Sequence, residues 1–280
     1  MASFSLFEIR YADIKFLVIL RSVSLGVLSK AFSRLVIPLE NSLHPVNVKP
    51  RICKFCPALA ISSFAPEELK KRVLPRICSG EIVVAVSMSE PNAGSALTDL
   101  TTHAKNKDDK LILNGQKRWC SGAGHADGYV VYCRLSEEEG AKGIGAVYIE
   151  KNTKGFTFGK QDHHICFRGI CSADMYFDDV TIPKSNIIVP AGGFKKLMEA
   201  FDLERCGNST MSLACAQSSY DFVLEYIQER KQFGKPIIDF QAVQMQLAEM
   251  KMKLDASRLL IYRAVVNADR SLPSIADSSI

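Results

Sequence analysis

The sequence has no long apolar run, no dense basic run and no regular set of cysteines. Phe16–Leu28, the longest apolar stretch near the N-terminus, is interrupted by Arg21 and is shorter than the roughly 20 residues of a membrane-spanning helix. The 35 Lys and Arg residues exceed the 30 Asp and Glu residues only slightly, and they are spread along the chain. These absences argue against a membrane span and against nucleic-acid binding. A mildly positive protein still suits an acidic small-molecule ligand.

The N-terminus also lacks the charge pattern of a targeting segment. Glu8 and Asp13 lie where a secretory signal would be basic and where a mitochondrial presequence would be poor in acids. The nine cysteines are irregularly spaced, which indicates reduced thiols in an intracellular compartment. We therefore expect a cytoplasmic protein, with the mitochondrial matrix as the alternative. Cys53-x-x-Cys56 has no second pair at zinc-finger spacing, so we interpret it as two ordinary thiols and predict no metal site.

The first 80 residues fall into two segments. Residues 1–55 carry no motif and stay unassigned, although Lys15–Leu35 has apolar residues at the spacing of an amphipathic helix. Residues 56–80 predict two helices. The second of these begins at Pro66-Glu67-Glu68, because a proline and two acids suit the first turn of a helix.

Residues 81–186 predict a β domain. Short runs of apolar and β-branched residues recur with turn residues between them, which is typical of an antiparallel sheet or a small barrel. Asn114-Gly115 predicts a hairpin turn. The predicted strands are Ile82–Val86, Lys110–Trp119, Tyr129–Cys133, Gly145–Glu150, Gly155–Gly159 and Ala173–Phe177.

Residues 187–280 predict two long helices. Apolar residues recur at three- and four-residue steps over Leu197–Tyr226 and again over Val243–Val265, and Gly234 and Pro236 break the pattern between them. Two helices joined this tightly are typical of an antiparallel pair from a bundle. Such a pair cannot bury both of its faces by itself, so we expect it to need further helices or a partner chain.

Two loops have compositions that suit a ligand. Ser89–Ser95 follows a predicted strand, and its small residues let a planar or phosphorylated ligand approach the backbone; a plain polar turn is the alternative. Arg118–Gly124 contains the only tryptophan of the chain, Trp119, beside glycine and serine. The indole ring suits stacking against a flat heteroaromatic ligand, and a buried core position is the alternative.

Glu204 is the candidate for acid–base chemistry. It lies between Leu203 and Arg205 on a predicted helix, where it borders an apolar face. A carboxyl group against apolar surface has a raised pKa, which makes it a better base near neutral pH. The alternative is a helix acid that pairs with Arg205 or with a nearby lysine.

Four motifs, taken in order, resemble those of the acyl-CoA dehydrogenase family of flavoproteins over about Phe55 to Asp269. S-E-P-N-A-G-S resembles the family's T-E-P-x-x-G-S-D loop, and R-W-C-S-G resembles its W-I-T/S-N-G strand end. F-D-D-V-T-I-P-K-S-N resembles the F-x-D-V-x-V-P-x-x-N exit from the β domain, and E-R-K-Q-F-G-K-P-I-I-D-F-Q resembles R-x-x-F-G-x-x-I-x-x-x-Q. The resemblance implies an α+β fold with a helical N-terminal remnant, a central antiparallel β domain and half of a C-terminal helical bundle.

The resemblance also implies FAD-dependent α,β-dehydrogenation of an acyl-CoA. The isovaleryl-CoA and long-chain branches carry the base on the helix that holds D-L-E-R here, so Glu204 would take the α-proton while a hydride passes to flavin N5. Electrons would then pass to an electron-transferring flavoprotein. A homo-oligomer is implied as well, because the flavin site of the family is shared across subunits.

The implied binding roles fall into three groups. The first group holds the flavin ring, with Trp119 packed beside it and Ser121 donating toward N5. The second binds the adenine dinucleotide part of FAD across a subunit interface, and the third lies near the CoA moiety. The flavin-ring group is Met88, Ser89, Trp119, Cys120 and Ser121. The adenine dinucleotide group is Arg230, Phe233 and Gln241. The CoA group is Ser95, Asp202 and Arg205.

Several features depart from the family. Ala96 replaces an aspartate, Gly122-Ala123 replaces Asn-Gly, and Cys166 stands where glycine is usual. The family's C-terminal half-bundle with its Q-x-x-G-G-x-G loop has no counterpart in the sequence, so we expect a shortened bundle that exposes an apolar stripe. The alternative function is therefore a truncated, non-catalytic remnant or an interaction subunit of a complete homologue.

Overall fold

The computed structural model describes residues 55–165, 169–268 and 272–279. The described residues form two compact units that meet in the chain between Phe201 and Asp202. The first unit holds two helices and a large sheet, and the second is mainly helical. The predicted helix at Lys15–Leu35 and the pair Cys53-x-x-Cys56 lie outside the part that can be described in full.

Two short helices open the first unit, as predicted. They are α1 (Phe55–Phe64) and α2 (Glu67–Cys78). Pro66 lies just before α2 rather than inside its first turn, and two acids occupy that turn, where their charge favours the helix N-terminus. The buried stripe of α2 consists of Leu69, Val73 and Ile77.

Eight strands form one sheet within the described residues: β1 (Val84–Ser87), β2 (His103–Lys107), β3 (Lys110–Ser121), β4 (Gly128–Arg134), β5 (Ile144–Glu150), β6 (Phe156–Phe158), β7 (Ser172–Pro183) and β8 (Ile187–Val189). Their order is β6-β7-β3-β2-β4-β5-β8, with β1 paired to β4. Most neighbours are antiparallel, but β1 and β2 both run parallel to β4, so the prediction of an antiparallel sheet is wrong for these two pairs. The chain passes through β2 and β3 before β4 returns to β1, and a crossover of this kind is what a parallel pair requires.

The core of the first unit lies around β4 and β5. The first six residues of each of these strands are buried without alternation. A sheet with one solvated face would expose every second residue, so both faces of these two strands are covered. α1 packs against β1 and β8, and the Tyr132 hydroxyl donates to the carbonyl of Leu197 at 3.4 Å.

The predicted hairpin turn at Asn114-Gly115 is wrong. β3 continues through both residues, and the turn between β2 and β3 lies at Asp108-Asp109 instead. Asn114-Gly115 marks a shift of register between β3 and β7. A Cβ on Gly115 would lie 2.6 Å from the hydroxyl oxygen of Thr102, so glycine is needed here for a close approach of two strands.

The second unit is built from two long helices, as predicted. α3 (Phe194–Glu229) belongs to it from Asp202 onward, and α4 (Gln241–Ala268) follows a tight hairpin of β9 (Lys231–Gln232) and β10 (Lys235–Pro236). Arg258 on α4 donates to the side-chain oxygen of Gln217 on α3 at 2.9 Å. A short helix, α5 (Ile275–Ser279), comes last.

Large apolar side chains are exposed along α3 and α4. α3, α4 and α5 also line a cavity of about 610 Å³. Within the described residues, no helix has the length and apolar character that crossing a membrane requires. The exposed side chains are Met211, Phe222, Tyr226, Met245, Met250, Met252, Leu259 and Val266.

Asn186 joins α2 to the sheet, so its replacement should lower the stability of the protein measurably. Its Oδ1 accepts from Arg72 at 2.6 Å, and its Nδ2 donates to the carbonyl of Tyr148 at 2.9 Å. We expect Asn186→Ala to lower the free energy of unfolding by about 1–3 kcal/mol, because it leaves buried polar groups without partners. Urea unfolding measures this. Asn106→Ala, at an exposed position of β2, is the control. Equal losses of unfolding free energy in the two variants would contradict the role of Asn186 in joining α2 to the sheet.

Candidate functional site

The loop after β1 is anchored by a buried glutamate. Glu90 closes a tight turn through main-chain hydrogen bonds with Ala93 in both directions. Its carboxylate accepts from the backbone N–H and the hydroxyl of Thr101, at 2.7 and 2.8 Å, and from the N–H of Thr102 at 2.9 Å. The loop that carries Ser89 and Ser95 is therefore not a plain polar turn, since its carboxylate is held inside the protein.

Lys117 on β3 completes this arrangement. Its side chain is wholly buried, and Nζ lies 2.8 Å from Glu90 Oε1 and 2.8 Å from the carbonyl of Met88. The next residue, Arg118, donates its N–H to the carbonyl of Ser89 at 2.9 Å. Met88, Ser89 and the end of β3 are thus brought together, as the sequence predicts.

The ionisation of Glu90 depends on this pairing. Burial by itself would raise the pKa of the carboxyl group, but the charge of Lys117 and the hydrogen bonds from Lys117, Thr101 and Thr102 outweigh it and lower the pKa to about 2. Glu90 is therefore a carboxylate throughout the neutral range, and it is suited to structure rather than to proton transfer.

Trp119 is exposed rather than part of the core, which excludes the alternative of a buried tryptophan. Its side chain is 59% exposed and its backbone has a φ of 54°, a left-handed conformation that non-glycine residues seldom adopt. The strand is bulged here, because the register against β7 shifts between Lys117 and Cys120. The bulge turns an aromatic plane outward next to the loop after β1.

The neighbours of Trp119 divide between surface and core. The guanidinium of Arg118 lies over the indole ring, 5.2 Å from its centroid, and its Nε is 3.7 Å from Asp174. Ser121 is half-buried at the end of β3. Cys120 is buried, with Sγ 2.9 Å from the Ser87 hydroxyl, so its predicted role in cofactor binding is limited to its main chain.

The predicted catalytic residue lies in the second unit. Glu204 is 7% exposed on α3. Asp202, two residues earlier on the same helix, is also buried, and its Oδ1 accepts from the Ser278 hydroxyl at 3.0 Å and lies 3.7 Å from Arg205. Arg205 in turn donates to the Ser279 hydroxyl at 3.0 Å. Asp202 and Arg205, both predicted to lie near CoA, are thus close together, whereas Glu204 lies on another side of the helix, because residues two apart do not face each other.

The remaining predicted residues cluster at the hairpin between α3 and α4. Phe233 is 93% exposed with a φ of 52°, and its ring meets that of Phe240 edge-on at 6.1 Å. Arg230 is exposed directly after α3, and its main-chain carbonyl accepts from the N–H of Ile237 at 2.8 Å. Gln241 is exposed at the first residue of α4.

Each unit thus exposes an aromatic ring. In the first unit Trp119 offers an aromatic plane on the same strand as Ser121, and such a plane suits stacking against a flat ligand. In the second unit Phe233 offers an exposed ring close in sequence to the exposed Arg230. Within the described residues, no three or more His, Cys, Asp or Glu side chains are placed to hold a metal ion.

Comparison with known families identifies the fold. The model for "Acyl-CoA dehydrogenase, middle domain" matches residues 85–180, and that for "Acyl-CoA dehydrogenase, C-terminal domain" matches residues 191–280. The chain belongs to the acyl-CoA dehydrogenase family. The family comprises FAD-dependent oxidoreductases, some of which are linked to an electron-transferring flavoprotein.

Individual relatives agree with this assignment. A probable acyl-CoA dehydrogenase of Mycobacterium tuberculosis is 37% identical over 210 residues, which cover 75% of this chain and 54% of the relative. The mitochondrial isovaleryl-CoA dehydrogenase of Arabidopsis thaliana is 37% identical over 201 residues, covering 71% of this chain and 49% of the relative. This chain thus spans about half the length of the curated relatives it matches.

A solved structure extends the comparison. Butyryl-CoA dehydrogenase from Megasphaera elsdenii superposes with a TM-score of 0.77 at 28% sequence identity, covering 93% of this chain and 65% of that protein. The α+β fold expected from the motifs is therefore confirmed, with the mixed sheet as the one correction.

Sequence reasoning missed the two residues that hold the site together. The motifs include Glu90 only as a letter of the S-E-P loop, and no motif includes Lys117. A signal was nevertheless present, since Leu111 and Leu113 face the core and a period of two places Lys117 on the same side of β3. A lysine at an inward position needs a buried partner.

Glu90 predicts a specific dependence of stability on pH. Its folded pKa lies below that of the unfolded chain, so the stabilisation is fully present above about pH 4.5 and is lost as the pH falls toward 2. We expect Glu90→Gln to lower the free energy of unfolding by about 3 kcal/mol at neutral pH, because it leaves the buried charge of Lys117 without an opposite charge. Denaturant unfolding at several pH values should show that deficit shrinking below pH 4.5.

The matched control is Glu81→Gln, which removes an exposed carboxylate from its pair with Arg76. A loss of unfolding free energy in Glu90→Gln that does not change with pH would contradict an ionised pair of Glu90 and Lys117. An equal loss in Glu81→Gln would contradict it as well.

Proposed function

We propose that this chain is an acyl-CoA dehydrogenase that uses FAD to oxidise an acyl-CoA thioester between its α and β carbons. The observation that carries the proposal is Trp119, an exposed aromatic plane held in a left-handed backbone beside the loop of Met88 and Ser89. A strained and exposed aromatic residue gains nothing from core packing, and strain of this kind persists at binding sites. Membership of a family of flavoproteins supplies the ligand that fits.

The residues of the first unit would bind and orient the flavin ring. Trp119 would pack against one side of it, and the Ser121 hydroxyl would donate a hydrogen bond toward N5. Met88 and Ser89 contribute the loop that borders the ring, with their carbonyls already engaged by Lys117 and Arg118. Cys120 contributes through its main chain alone, because its side chain is buried.

Glu204 would act as the base. The thioester carbonyl of an acyl-CoA acidifies the α-proton of the acyl group, and the carboxylate of Glu204 would remove that proton. FAD supplies the acceptor for the hydride that leaves the β carbon. The burial of Glu204 keeps water from the carboxylate, and general-base catalysis of this kind is worth about 100- to 10,000-fold in rate.

The polar residues near Glu204 and the hairpin would bind the remaining parts of the ligands. Asp202 and Arg205 would lie near the CoA end of the substrate, and Ser95 would contact the CoA moiety. Arg230, Phe233 and Gln241 would bind the adenine dinucleotide part of FAD in a neighbouring subunit of a homo-oligomer. Reduced flavin would then pass its electrons to an electron-transferring flavoprotein, as in some members of the family.

A second candidate function is that of an interaction subunit that pairs with a longer homologue. The observation that favours it is the row of exposed apolar side chains on α3 and α4, among them Phe222, Tyr226 and Leu259. Apolar patches of this kind are typical of protein interfaces. The two candidates differ in the colour of the purified protein, since an interaction subunit without FAD would lack flavin absorbance even after it is supplied with FAD.

The role of Trp119 predicts quenching of fluorescence. Trp119 is the only tryptophan, so the emission of the whole protein reports on this one ring. We expect titration with FAD to quench that emission and to give the same Kd as flavin absorbance after ultrafiltration. FAD that binds by absorbance but leaves the emission unchanged would remove Trp119 from the flavin site.

The role of Glu204 predicts a loss of flavin reduction. We expect Glu204→Gln to bind FAD normally but to slow the bleaching of flavin by an acyl-CoA by about 100-fold or more. Glu225→Gln, an exposed position on the same helix, should bleach at the rate of the unaltered protein. Stopped-flow absorbance with a panel of acyl-CoAs of different chain length measures both. Normal bleaching in Glu204→Gln would rule out this residue as the base.

A further inference from the structure

The hydrogen bonds of the sheet do not set the distance between the end of β3 and the loop after β1. β1 pairs with β4, whereas β3 lies between β7 and β2. The two segments are instead tied directly, by Lys117 to Met88 and Glu90 and by the main chain of Arg118 to Ser89. The side chain of Lys117 and one main-chain hydrogen bond therefore connect segments that the sheet does not pair with each other.

Lys117 also lies at the point where β3 leaves its regular ladder. It is paired with Met175 on β7, and the next paired residue is Cys120, opposite Ala173. Arg118 and Trp119 thus face a single residue of β7, which is the definition of a bulge. Trp119, whose backbone is left-handed, lies two residues after Lys117. The contacts of Lys117 with Met88 and Glu90 therefore hold β3 at the residue where the bulge begins.

The pair is an unusual choice for stability alone. Lys117 and Glu90 have exposed fractions of 0% and 3%, so both charges have been removed from water. Apolar residues of similar volume often make a protein as stable or more stable at such positions, because the attraction between buried charges scarcely offsets the cost of their desolvation. What a buried pair adds is a fixed direction and distance, which apolar contacts do not impose.

We propose that Lys117, through its ion pair with Glu90, is a positioning residue that sets the orientation of Trp119 against the Met88–Ser89 loop and so shapes the flavin site. The proposal rests on the proposed function for the identity of the ligand. The positioning itself concerns residues of this chain and is measurable without FAD.

The test uses a variant that replaces both charges. Lys117→Met with Glu90→Gln removes the ion pair without leaving one charge buried, and the glutamine oxygen can still accept from Thr102. The control replaces an exposed pair in the same way, Arg76→Met with Glu81→Gln, whose atoms are 2.7 Å apart. Three quantities are measured for each protein: the thermal midpoint, the near-UV circular dichroism of Trp119, and the Kd for FAD.

We expect the Lys117–Glu90 double variant to keep a cooperative thermal transition but to lose most of the Trp119 dichroism and to bind FAD at least tenfold more weakly. The control pair should leave all three quantities unchanged. A folded double variant with unaltered dichroism and unaltered Kd would overturn the proposal and leave the pair a purely structural role. Failure of the unaltered protein to bind FAD would count against the proposed function, while the dichroism would still decide the positioning role.

A milder variant covers the case in which the double variant does not fold. Thr101→Val removes one hydrogen bond to Glu90, at 2.8 Å, and leaves both charges paired. We expect a partial loss of the Trp119 dichroism in this variant. Unchanged dichroism would overturn the proposal, because the ring would then be insensitive to the geometry of Glu90.

Discussion

The buried ion pair of Lys117 and Glu90 is the interaction on which the geometry of the first unit depends. It joins two segments that the sheet does not pair, and it lies directly before the bulge that turns Trp119 outward. Three further hydrogen bonds from Thr101 and Thr102 fix the glutamate from its other side. A ligand that meets this surface therefore meets a preformed aromatic plane, and little of its binding energy is needed to order the protein.

The second unit presents a different kind of surface. Glu204 and Asp202 are buried carboxylates two residues apart on α3, about 200° apart around the helix axis, so they point in different directions. Asp202 accepts from Ser278 on α5 and lies beside Arg205, which itself donates to the Ser279 hydroxyl. The contacts of Asp202 therefore tie α3 to α5, and they do not involve the carboxylate of Glu204.

Much of the fold was predictable because it depends on local periodicity. The helix pair at 56–80, six of the strands and the two long helices follow from the spacing of apolar residues and from Gly234 and Pro236. The errors concern residues whose roles depend on distant parts of the chain. Asn114-Gly115 carries a turn signal, but the need for glycine comes from Thr102, which lies directly before β2. The partner of Lys117 is 27 residues away in sequence, and no periodicity predicts that Trp119 is exposed.

The length of α3 has a consequence for how substitutions along it combine. At 1.5 Å per residue, the distance along this helix from Glu204 to its end at Glu229 is about 37 Å. Side chains at its two ends are too far apart to share a contact. The effects of substitutions near Glu204 and near Glu229 on stability should therefore add, because sites without shared partners act independently.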